Sequence, residues 1–346
     1  MKRVILVLFI LIPSLITAAI FALPDNVISE KENRSLVTKS DISQNIKDGS
    51  FQSDIENYLS DQFPLREGLV YARNCLYYAA GRREIGGAYL CRDGRLIQKI
   101  TDADIDKDAL ISYADKISEI AEDHKVFVMY VPSASAVGKD ELPAGAPTYD
   151  YESLYAELTA RLYNAKCIDL SKRLGIADYY KTDHHFNTHG AYKAYAAFCE
   201  AKGEAAKRED DFKLKSADAG FRGTLYSKVL ISKTKDEILL PDISLPQVTA
   251  DGKEIPFYDY TALKTKDKYN VYQGGNHGIT EIKGNGKNGK TLLIFKDSFA
   301  NSFVPFIVND YAKIILVDER YTFLSAKDFA EQNKPDEILV LREIIN

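Results

Sequence analysis

Two short stretches gather residue types that can do chemistry together. The first is Lys181-Thr182-Asp183-His184-His185-Phe186-Asn187-Thr188-His189, which holds three of the five histidines in the chain. In an extended segment the side chains at i and i+2 point to one side. Asp183 and His185 are therefore expected to face one way and His184 the other. A carboxylate beside an imidazole fixes its tautomer and stabilises the imidazolium, as a general base requires. The second stretch is Phe295-Lys296-Asp297-Ser298-Phe299, at the end of the apolar run Thr291–Phe295. A serine at the carboxyl end of a buried strand stands where open α/β sheets bind ligands. The helix expected over 300–309, with Pro305 tolerable only near its first turn, aims backbone N–H groups at a developing oxyanion. Each stretch alone also reads as a polar turn with a helix cap; together they supply an acid, a base and a nucleophile.

A third stretch, Gly274-Gly275-Asn276-His277, adds candidates for an oxyanion or substrate contact. Gly275 permits close backbone approach, Asn276 offers an amide donor, and His277 stands beside it. A metal reading competes for Asp183, His185 and His189, because His185 and His189 are spaced i, i+4. His189 falls inside the expected helix and His185 before it, so the preferred reading has no metal. Gly284-Asn285-Gly286-Lys287-Asn288-Gly289 formally matches G-x-G-x-x-G but precedes a strand, whereas a dinucleotide loop follows one. No cofactor is expected.

The elements that must position these residues alternate from about residue 105 onward. Helical patterns over 106–124, 151–164 and 188–202 interleave with apolar strands at 126–131, 167–170, 292–295, 314–317 and 337–341. That rhythm implies an α/β domain with a mostly parallel sheet flanked by helices. The stretch 204–290, rich in Lys, Asp, Gly and Pro, breaks the rhythm and reads as an insertion near one end of the sheet. The expected organisation is 1–24, 25–85 and 86–346. Residues 25–48 are a polar tether, helices from Phe51 and over 65–80 form a small arm, and Gly86–Ile97 makes two strands around Asp93-Gly94.

Val4–Leu23 carries no charge and matches the roughly 20 residues a transmembrane helix needs. Lys2 and Arg3 would hold its start in the cytoplasm and export the rest, so the expectation is a single-pass signal anchor with the catalytic domain outside. Thr17-Ala18-Ala19 also offers a cleavage site. A net charge of −5 leaves no surplus of Lys and Arg for phosphates, which argues against nucleic acid as a partner. Four cysteines without a C-x-x-C spacing indicate neither a zinc nor a redox site.

Taken together, TDHHFNTHGAY, GGNHG, IFKDSFANSFVPFIVNDY and LVDERY resemble the DHHW-protein family, and more distantly the SGNH-hydrolase-like O-acetyltransferases of alginate acetylation. FQSDIENYLSDQFPLREG and GAYLCRDG are similar to that family's membrane-proximal region, so the likeness spans about residues 30–325. Phe186 stands at the motif's Trp position, and Lys296 where many SGNH enzymes carry Gly. The resemblance implies an SGNH-hydrolase-like fold with Asp183, His185 and Ser298 as a triad. It also implies acyl transfer to a cell-surface or secreted polysaccharide, beside a membrane-bound O-acyltransferase that supplies the acyl group. A carbohydrate esterase, or a non-catalytic glycan-binding or scaffold protein, shares the same residues.

Overall fold

The computed structural model describes residues 2–29, 31–43 and 49–346. The chain divides into two units, Met1–Ile85 with Ser227–Ile231, and Gly86–Tyr226 with Ser232–Asn346.

In the first unit, α1 (Lys2–Ala22) contains Pro13, and α2 (Ser50–Asp61) and α3 (Arg66–Ala79) follow. The membrane-spanning helix expected over 4–23 does not receive support. Among the described residues no helix is long and apolar enough to cross a membrane. Pro13 has no N–H to give the ladder of α1, and Tyr58 of α2 claims the last turn, its hydroxyl donating to the Ile20 carbonyl at 3.2 Å. The stretch 25–43 is also more than a bare tether. Arg34 forks onto both carboxylate oxygens of Asp61 at 2.9 and 2.5 Å, and Val37 N–H donates to the same carboxylate. Residues 44–48 of the expected tether lie outside the described residues.

An eight-stranded sheet runs through the second unit. Its strands are β1 (Val126–Val131), β2 (Lys166–Cys167), β3 (Gln247–Ala250), β4 (Lys253–Ile255), β5 (Ile279–Lys283), β6 (Thr291–Lys296), β7 (Lys313–Val317) and β8 (Glu337–Glu343). Their spatial order is β4-β3-β5-β7-β6-β8-β1-β2. The five strands from β7 to β2 pair in parallel, and β5, β3 and β4 continue the sheet antiparallel. The sheet is therefore mixed rather than mostly parallel, because part of the stretch 204–290 joins it as strands.

The four parallel strands β7, β6, β8 and β1 carry unbroken apolar runs because both faces are covered. Phe127, Met129, Leu292, Ile294, Leu339 and Leu341 face one core, where α6 (Thr188–Lys202) and α7 (Phe299–Ile307) pack through Phe198, Phe303 and Phe306. Val126, Val128, Leu293, Phe295, Ile338 and Val340 face the other. That side is closed by α4 (Lys107–Asp123), α5 (Tyr151–Thr159) and α8 (Ala326–Asn333). Each such side chain stabilises the fold by about 1.5–3 kcal/mol on burial. Pro305 lies seventh in α7, not in its first turn as expected. All four cysteines are free thiols.

Candidate active site

The loop before α6 is held on three sides. Tyr180 N–H donates to the His185 carbonyl at 3.2 Å and Asn187 N–H to the Asp178 carbonyl at 2.8 Å. Thr182 gives both its N–H and its hydroxyl to Asp236. Phe186 is fully buried and meets Phe299 edge-on at 5.0 Å, so the aromatic letter of the motif is a packing residue. Asn187 caps α6 by accepting from Gly190 N–H at 3.1 Å. A Gly203 in the left-handed region, with φ 78°, ends that helix.

Asp183 sits inside this frame. Its Oδ1 accepts from His185 N–H at 3.0 Å, an Asx-type turn, and lies 2.6 Å from His185 Nδ1. Its Oδ2 accepts from Thr224 N–H at 2.7 Å and from the Thr224 hydroxyl at 3.1 Å. The Asx turn explains why the expected alternation fails at His184. The segment is bent rather than extended, and the two imidazole rings lie 3.9 Å apart. Burial alone would raise the Asp183 carboxyl, but the adjoining His185 and His184 and the hydrogen bonds from His185 hold it well below the usual carboxylate range.

The other end of the relay comes from β6. The strand ends at Lys296, and Asp297 is fixed by Phe299 N–H at 2.9 Å, Glu343 N–H at 2.8 Å and Asn346 Nδ2 at 2.7 Å. Ser298, the N-cap of α7, places Oγ 2.6 Å from His185 Nε2. The His185 ring is 96% buried with its residue and lies flat on Tyr269, centroids 4.0 Å apart and planes 8° from parallel. Tyr269 in turn donates to the Ser298 carbonyl at 3.1 Å. Asp183, His185 and Ser298, 115 residues apart at the extremes by their numbers, thus form one continuous hydrogen-bonded line.

Residues 163–317 match the DHHW protein family. The resemblance read over 30–325 is shown for that segment. Among solved structures, a DHHW family protein from Eubacterium siraeum is 26% identical, covering 75% of this chain and 92% of its own, with a TM-score of 0.63. Bacillus cereus PatB1 with a sulfonyl adduct is 19% identical over 74% of this chain and 94% of its own, with a TM-score of 0.61. A second PatB1 structure gives 20%, 73%, 94% and 0.60. These likenesses show a shared α/β fold with a large mixed sheet. No curated protein matches the chain.

The remaining candidates separate. Asn276 lies at the site's edge, its Oδ1 accepting from Lys296 Nζ at 3.1 Å and from Asn301 Nδ2 at 3.2 Å. Gly275 has its N–H bound to the Tyr272 carbonyl and its φ at 107°, with the Asn270 side chain against it. Its N–H is thus spent on the turn rather than offered to a ligand. His277 turns away, with Nε2 2.9 Å from the Gln273 carbonyl. His189, the remote member of the metal reading, pairs with Glu209 at 2.6 Å, because it opens α6 while His185 precedes the helix. Asp183, His184 and His185 do bring ligand atoms within 4.8 Å of one another, but His185 uses both nitrogens on Asp183 and Ser298. Thr224 and Tyr269 escaped the sequence reading; both lie in 204–290, and neither carries a spacing signal toward the motifs.

Proposed function

We propose that the chain is a serine O-acyltransferase that places acetyl groups on a cell-surface or secreted polysaccharide. The observation that supports this reading is the relay from Asp183 through His185 to Ser298, with both contacts at 2.6 Å. His185 Nε2 takes the hydroxyl proton as Ser298 Oγ attacks the donor's acyl carbonyl. The carbonyl–oxygen bond to the leaving group then breaks, and the imidazolium returns its proton to that oxygen. A sugar hydroxyl next gives its proton to His185 and attacks the acyl-serine; the imidazolium finally reprotonates Ser298. Asp183 stays ionised throughout, since two hydrogen bonds reach each of its oxygens. Asn276 Nδ2 and the Ser298 N–H, at the start of α7, are the donors assigned to the oxyanion.

The domain works outside the cytoplasm in this reading, held to the membrane by the N-terminal run, with a membrane-bound O-acyltransferase supplying the acyl group. An esterase would share every step but the last, in which water replaces the sugar. The test is transfer from p-nitrophenyl acetate to a defined oligosaccharide, followed by mass spectrometry. The wild-type chain is expected to add acetyl to the sugar and Ser298→Ala to add none. Equal transfer by Ser298→Ala overturns the proposal.

A further inference from the structure

Lys296 is a buried cation that the relay does not use. Its residue is 7% exposed and its side chain 2%, in a position two residues before the serine. An ammonium taken from water is costly unless its donors are satisfied, and here they reach Asn301 Oδ1 at 2.7 Å and Asn276 Oδ1 at 3.1 Å. The Asp318 carboxylate lies 3.8 Å away, shared with Arg320 at 2.7 Å. Asn301 also leans on the same loop, donating to Asn276 Oδ1 at 3.2 Å and to the Gly275 carbonyl at 3.5 Å. Asn301 is itself one turn along from the nucleophile, its N–H bonded to the Ser298 carbonyl.

A carboxamide turned end for end keeps its shape but exchanges donor for acceptor. At Asn276 the two orientations are not equivalent. Oδ1 meets two donors, and a flip would set Nδ2 against an ammonium that has no lone pair to accept it. We propose that Lys296 is a positioning residue that locks the Asn276 carboxamide, so that Nδ2 is the group offered to the acyl oxygen. The inference rests on the acyl-transfer reading and adds the device that orients its oxyanion donor. Neutral lysine would weaken the lock, because an amine accepts as well as donates and Asn301 Nδ2 is then the one remaining donor that excludes the flipped amide. Burial pushes the Lys296 ammonium down to about 8, against the opposing pull of Asp318 and Asp297 and with Arg320 adding to the fall. Those three charges are the ones that face it, so the lock should loosen as pH rises through that region.

The test compares hydrolysis of p-nitrophenyl acetate by wild type, Lys296→Met, Asn276→Ala and the double variant, each across pH. Lys296→Met should lower kcat about 10- to 100-fold with KM changed less than about 3-fold, since loss of an oxyanion donor acts on the transition state. It should add nothing in the Asn276→Ala background, where there is no amide left to orient. The wild type should lose activity above pH of about 8, and Asn276→Ala should not. Additive losses in the double variant, or an alkaline limb that survives Asn276→Ala, overturn the inference. Asn276 is exposed, so its variant should fold even if Lys296→Met does not, and its pH profile then decides. Turnover that persists in Ser298→Ala would instead defeat the acyl-transfer reading beneath it.

Discussion

The parallel half of the sheet and the stretch 204–290 divide the site between them unequally. The parallel half and its adjoining loops hold the reacting groups, Ser298 after β6 and His185 before α6. The stretch 204–290 holds none of the triad but supports most of it: Thr224 satisfies one oxygen of Asp183, Tyr269 backs the His185 ring, and Asn276 flanks the serine's helix. Reacting groups stand at the ends of rigid strands and helices, where position is cheap to hold. Their orientation depends on a second layer recruited from irregular chain, which must be fixed by specific hydrogen bonds.

The sharpest way to test that division is to change a reacting group without changing its shape. Asp183→Asn should keep the fold and reduce kcat about 10⁴-fold, because the amide stabilises the wrong imidazole tautomer; kcat within 10-fold of wild type would remove Asp183 from the relay. A supporting position comes next. A Cβ at Gly223 would lie 2.1 Å from Asp183 Oδ2 and 2.3 Å from its Cβ, so Gly223→Ala must displace the carboxylate. A shift of about 1 Å costs on the order of 100-fold in kcat, and a smaller loss would mean the site can absorb it.

The start and stop of α6 are legible in a cap at Asn187 or Thr188 and in Gly203, and β1 in six consecutive apolar residues, because each signal is local. The strand β3 alternates over only four positions and β4 buries none of its three residues, and the partner that ties them into the sheet, β5, comes from elsewhere in the chain. Tyr269 is one of 22 tyrosines, and only the folded chain distinguishes it. The bend at His184 was hidden for a related reason: Asp183 folds its own backbone through a side-chain bond.

In the parallel half, burial and then Asp297 push the Glu343 carboxyl up to about 8 from an ordinary 4.5. The folded state thus binds a proton that the unfolded state has lost, so stability should fall as pH rises from about 4.5 to 8. Glu343→Gln should flatten that slope in denaturant titrations and gain about 3–4 kcal/mol at pH 8 relative to pH 5. An unchanged slope would mean Glu343 does not titrate there. In the stretch 204–290, Tyr269→Phe keeps the stacked ring but loses the bonds to the Ser298 carbonyl and Ser302 hydroxyl. The expected cost is about 1 kcal/mol of stability with kcat lowered less than about 10-fold; a loss approaching that of Asp183→Asn would give the hydroxyl a direct part in the chemistry.

In this mechanism His185 makes Ser298 nucleophilic. Intact-protein mass spectrometry with a phenylmethylsulfonyl fluoride time course measures this directly, since an activated serine forms a sulfonyl ester. One adduct is expected, mapped to Ser298, that forms much more slowly in His185→Ala and not at all in Ser298→Ala. An adduct that forms at the wild-type rate in either variant would contradict this mechanism.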